Sequence, residues 1–288
     1  VTAHNTFLGS NRRFHIFTAV KYLTYALLCF NVYLFLDEEM TSLEYTFTDG
    51  LELGQLVQVF AATIDTAAWV ILLLLFELET SVLDDDRIRG WVKVTLHGIR
   101  LVCSAAIVYA FTGYYAELDT LYQVSSLPVS DACQLLGQGY SVLVDLDEYL
   151  PLEAANCAAF GQELWRLDGF DIVADSGHLQ AAQWLAWTDV INAGAWILVV
   201  VVLEVEVRLQ LRGNLSRSVM RGTAWIKAVI YFTLFAAAAY WGYAGDFLDF
   251  WDAALWLFAF IFIEMNVFEW QHQTSGGDAQ AVAATTTA

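Results

Sequence analysis

The residues best suited to do chemistry in this chain are acids set in apolar sequence, and they recur. Asp65-Thr-Ala-Ala-Trp69, Asn192-Ala-Gly-Ala-Trp196 and Asp252-Ala-Ala-Leu-Trp256 each open an apolar run. A glutamate follows each tryptophan by eight residues, at Glu77, Glu204 and Glu264, and two positions further on stand Glu79, Glu206 and Asn266. An ionisable side chain at mid-bilayer costs about 2.5–3.5 kcal/mol on insertion scales, so its repetition at one spacing calls for a cause.

Helix geometry separates two kinds of acid. At 100° per residue, the Asp or Asn, the tryptophan and the second acidic position share a face within about 80°, while the first glutamate points about 120° away. If three copies face one axis, Asp65, Asn192 and Asp252 form an outer polar ring, with Glu79, Glu206 and Asn266 as an inner one. Carboxylate rings select cations. The plainer alternative makes Trp69, Trp196 and Trp256 an aromatic belt and leaves the acids as helix caps in the headgroup layer. Asp252, with Asp246 and Asp249 beside it, fits that alternative; Asp65 fits it poorly.

The sideways glutamates have basic counterparts. Lys21, Lys93 and Lys227 each lie near one end of an apolar run and are followed four residues later by a ring, at Tyr25, His97 and Tyr231. The expected intramembrane pairs are Glu77–Lys93, Glu204–Lys227 and Glu264–Lys21, holding helices together because a stranded buried charge is costly. Proton or ion carriage along this belt is the weaker reading.

These positions must be held by membrane helices. Hydrophobic residues make up 58% of the 288 positions. Six spans are read at 14–36, 54–78, 91–115, 184–207, 224–245 and 250–270. The first contains Lys21 and runs into Asp37-Glu38-Glu39, unlike a cleaved signal peptide. The repeat groups the second span with the third, the fourth with the fifth and the sixth with the first. The expected fold is all-α and polytopic: six transmembrane helices as three hairpins in pseudo-threefold array, with a small exoplasmic cap. Residues 1–115 hold the first three helices, 116–183 the cap and 184–270 the last three, with a disordered cytoplasmic tail at 271–288.

Arg and Lys concentrate before the first span, after the second and between the fourth and fifth, which puts those segments and both termini in the cytoplasm. The expected location is a bacterial inner (plasma) membrane. The net charge of −19 then falls mostly outside, which argues against nucleic-acid partners and accords equally with a saline habitat. In the cap, Cys133 and Cys157 are expected to form a disulfide, while Cys29 and Cys103 pack inside spans as small apolar residues. Apolar spacing over Glu153–Leu167 predicts a helix, and Asp175-Ser-Gly predicts the cap of a helix running into the fourth span.

Other chemistry finds little support. The histidines (His4, His15, His97, His178 and His272) are scattered, so neither a metal nor any other cofactor is expected. No nucleophile elbow, zinc-protease, Walker or dinucleotide pattern occurs, and an enzyme is not expected. The expected function is a channel or transporter for cations or protons. The alternative is a non-catalytic structural or accessory subunit of a larger membrane complex. Partners follow: the bilayer, small cations, and a second copy or another membrane subunit.

Overall fold

The computed structural model describes residues 11–46, 55–82, 89–161, 163–211, 217–260 and 262. Glu264, Asn266, positions 261 and 263–270 of the expected sixth span and the tail lie outside these residues. The chain divides into two compact units, Val32–Phe250 and a smaller one made of Val1–Asn31 with Trp251–Ala288.

Long helices dominate. They are α1 (Asn11–Thr46), the single turn α2 (Leu56–Val59), α3 (Ala61–Glu77), α4 (Trp91–Thr120), α5 (Ser176–Leu211), α6 (Arg217–Ala244) and α7 (247–260). Leu78–Val82 continues α3 as a wider π turn. Among the described residues, five helical stretches are long and apolar enough to cross a membrane: His15–Thr46, Ala61–Thr80, Trp91–Thr120, Ser176–Glu206 and Arg221–Ala244. Their packing accords with that environment. Helix α4 buries Leu96, Cys103, Ile107 and Ala110 along one face and leaves Leu101 72% and Val102 67% exposed. Helix α6 buries Ile230, Leu234 and Ala237 and exposes Phe232 and Phe235. Apolar residues on both faces, one packed and one bare, mark helices whose outer solvent is lipid. They point to an integral membrane protein.

In the larger unit α3 packs on α4, α4 on α5 and α5 on α6. Gly113 lets α4 approach α2: a Cβ there would lie 2.1 Å from the Val57 carbonyl oxygen. A tight turn joins α6 to α7. Gly245, at φ +101°, ends one helix by donating its N–H to the Trp241 carbonyl, and the Asp246 carboxylate accepts the Asp249 N–H at the start of the next.

The connection between α4 and α5 departs from an all-α fold. It forms a five-stranded sheet: β1 (Val124–Ser126), β2 (Ser141–Leu143), β3 (Tyr149–Pro151), β4 (Leu164–Leu167) and β5 (Ile172–Asp175), ordered β1-β4-β5-β2-β3. All pairings are antiparallel except β2 with β5. The helix expected over Glu153–Leu167 is instead a short 3-10 turn at Cys157–Ala159 followed by β4. Leu164 and Leu167, three residues apart, imitate a helical face. In the strand they point to opposite sides and both are buried, because β4 is covered on both faces.

One side of the sheet carries the core of the cap, with Ala132, Leu135, Val142, Leu152, Leu164 and Val173. The Cys133–Cys157 disulfide tethers this layer, with Cα atoms 4.9 Å apart. On the other side Leu167 and Ile172 face the ends of the helices. The predicted cap of α5 is present: Asp175 Oδ1 accepts the His178 N–H at 2.9 Å and the Gly161 N–H bonds Oδ2. Burial alone would raise the Asp175 pKa, but these bonds outweigh it and hold the carboxyl below its ordinary value.

Candidate functional site

The residues singled out by the repeat divide between the two units. Asp65 and Asn192 belong to the larger, on α3 and α5, and Asp252 to the smaller, on α7. Within the smaller unit Asn31, wholly buried, donates its Nδ2 to Asp252 Oδ1 at 2.8 Å. In the larger unit Trp69 and Trp196 meet with ring centroids 6.2 Å apart. Trp256 lies on α7 in the smaller unit.

Among the described residues, cross-helix ion pairs engage Glu79 and Glu206, the second acid of each glutamate pair. Lys227 Nζ bonds Glu206 Oε2 at 2.7 Å, and Glu204 turns to Arg208 on its own helix, also at 2.7 Å. Arg100 pairs with Glu79. Both cross-helix pairs span 21 residues of sequence. The reason is angular. Residues two apart on a helix point about 200° from each other, so one partner helix can reach only one of each glutamate pair. Glu77 is buried, Lys93 is exposed, and Lys21 is buried with its Nζ 4.9 Å above the Tyr22 ring. Two residues assigned to a path, Glu79 and Glu206, are therefore engaged in ion pairs.

A different group of acids comes together where the helices meet the sheet. A pocket of about 80 Å³ is walled by Glu38 and Glu39 of α1, Glu117 of α4, Asp147 of the β2–β3 turn, Asp189 of α5 and Asp249 of α7. Among the described residues, no Lys, Arg or His lines it. Phe35, Tyr114, Tyr149 and Phe170 supply aromatic wall between the acids. No known family, characterised protein or solved structure matches the chain. Its function must be read from this geometry.

Each acid is held by local structure. Glu39 Oε1 accepts the N–H groups of Ala62 at 2.8 Å and Thr63 at 3.2 Å. It thereby caps α3, whose own N-cap residue, Phe60, contributes no side-chain bond. A carboxylate at a helix N-terminus is favoured by the exposed N–H groups and the helix dipole. Asp189 Oδ1 accepts the indole N–H of Trp241 at 3.2 Å. Gln58 bonds Thr120 at 3.0 Å and Tyr45 stacks on Tyr149, tying α2, α4, α1 and β3 around the rim.

Asp147 shows the electrostatic consequence. Burial, and then the charges of Asp246 and Asp145, raise its pKa to about 7. Burial, followed by the charges of Glu117 and Asp147, pushes the Tyr149 phenol well above its usual range, so it stays neutral. Such a site attracts cations and shares protons readily. It does not bring carboxylates into a metal cage: among the described residues no three of His, Cys, Asp and Glu gather closely enough to hold an ion.

The repeat carried a signal for part of this site. Asp189 precedes Asn192 by three residues and Asp249 precedes Asp252 by three. Ala62 holds the same place before Asp65, and there Glu39 of α1 brings a carboxylate onto the Ala62 N–H. Glu38, Glu117 and Asp147 had no such signal, because only the folded sheet brings them near the helix ends.

Proposed function

We propose that this is a membrane channel or transporter for cations or protons, with the acidic pocket as its entry site. The observation that carries this reading is the wall of six carboxylates with no basic residue beside them among the described residues. Such a wall concentrates cations, and at Asp147, outside the helices, burial and then like-charged neighbours make the carboxyl a ready proton acceptor. In this reading the bundle has six spans in three pseudo-equivalent hairpins. The polar positions Asp65 and Asn192 of the larger unit continue the route from the pocket, and both termini are cytoplasmic. The equal spacing of the Glu79–Arg100 and Glu206–Lys227 pairs supports duplication of the hairpin.

The purified protein in liposomes tests this directly. Imposed gradients of protons, Na⁺ and K⁺ should collapse faster than in empty liposomes, and Asp189→Asn should slow the collapse about tenfold or more. Flux equal to that of empty liposomes for every ion ends the proposal. The ion pairs favour a second reading, a structural subunit of a larger membrane complex, since they absorb two acids into helix contacts. Stoichiometric recovery of a partner after mild solubilisation, together with absent flux, is its expected signature.

A further inference from the structure

The pocket's chemistry narrows what it binds; the inference rests on the cation reading and names its ligand class. Charge alone would suit any cation, but three features discriminate. First, the acids come from five elements and surround the space rather than converge, and no metal-holding group forms among the described residues. A calcium ion needs six to eight oxygens at about 2.3–2.6 Å. Second, Glu39 is only 8% exposed and lines the pocket; its Oε1 serves the α3 cap, and its Oε2, with the Thr63 side chain beside Glu39, makes no hydrogen bond of full geometry among the described residues. An unbonded buried carboxylate oxygen is costly, and the natural complement is a charged N–H donor. Third, Phe35, Tyr114, Tyr149 and Phe170 offer ring surface, which attracts alkylammonium groups and accepts methylenes. The room of about 80 Å³ would hold roughly six waters at 10–15 Å³ each, or about six heavy atoms of ligand.

We infer that the pocket receives a short aliphatic diammonium ion, its two charged ends on opposing carboxylates and its methylene chain along the aromatic wall. Each ammonium brings three donors to a wall rich in carboxylate acceptors, and two charges answer the acids better than one.

The test is calorimetric titration of the full chain in nanodiscs with 1,4-diaminobutane as the probe. Saturable binding is expected, with n-butylamine, Na⁺ and Ca²⁺ each weaker by about tenfold or more. Glu117→Gln and, on the turn outside the helices, Asp147→Asn should each weaken it by about tenfold. Absence of saturable diamine binding overturns the inference. So does equal binding by both variants, or displacement of the diamine by Ca²⁺ at comparable concentration. Diamine binding without ion flux in liposomes sinks the transport reading and leaves this inference standing; flux of small ions without diamine binding does the reverse.

Discussion

At the scale of single residues, the position of a charge on its helix decides whether it holds the bundle or is left to bind something. Lys227 and Glu206 are both about a quarter exposed, so their pair is partly screened. Lys227→Met should cost about 1–2 kcal/mol, below the 3–5 typical of a fully buried pair. Thermal melting of Lys227→Met, Glu206→Gln and the double variant checks this; the double should lose less than the sum. Lys93→Met, at an exposed site, should stay within about 0.5 kcal/mol of wild type. A larger loss there would restore the pairing expected from the lysine repeat. Asp147 gives a pH signature. Its folded pKa of about 7 lies above the ordinary 3.8, so between these values the native state binds more protons than the unfolded chain. Stability therefore falls as pH rises through that window and is lowest above it. Asp147→Asn should raise the melting temperature at pH 8, by about 2–4 °C for each kcal/mol recovered, and change little at pH 4. Equal shifts at both pH values would contradict the assignment.

At the scale of elements, the long helices were legible because apolar runs of span length leave few alternatives, and the Asp175 cap was legible from its type and position. The strands were not. They are three or four residues long, too short to show alternation, and β4 is covered on both faces, which gives Leu164 and Leu167 a helical spacing. That Glu79 and Glu206 reach across to a neighbouring helix was not legible, because two glutamates two residues apart point in opposite directions, and at Glu79 the π turn of Leu78–Val82 departs from 100° per residue. The acidic pocket escaped notice because its members lie far apart in sequence. Close packing, by contrast, makes a sharp forecast at Gly113. Gly113→Ala drives a methyl against the Val57 carbonyl and should cost about 1–3 kcal/mol or more, read by thermal melting in detergent. Gly98→Ala, on the same helix with nothing within 4 Å of the added carbon, should be neutral or gain up to about 1 kcal/mol. In the cap, Cys133→Ser/Cys157→Ser opens a link between residues 24 apart and should remove about 3 kcal/mol, with the sheet melting before the helices.

At the scale of the whole molecule, the distribution of charge proposes an orientation. The sheet and disulfide lie between α4 and α5, a stretch of 116–183 with Arg166 as its one Lys or Arg among many carboxylates. The end of α5, the connection to α6 and the first turns of α6 instead carry Arg208, Arg212, Arg217, Arg221 and Lys227. Basic loops resist translocation, so the latter segment should stay in the cytoplasm and the sheet should face outside. That side is also where a disulfide persists, and where a carboxylate-walled pocket would meet its ligand from the medium. The two ends can be told apart by labelling. With Cys29 and Cys103 replaced by serine and the disulfide kept, Ser130→Cys on the cap should react with a membrane-impermeant maleimide in intact cells. Arg221→Cys should react only after permeabilisation. The reverse pattern would turn the molecule over and place the acidic pocket at the cytoplasmic face. Entry from outside would then be excluded while the cation binding proposed for the pocket stood, because that proposal depends on the carboxylates and their walls rather than on the side they face.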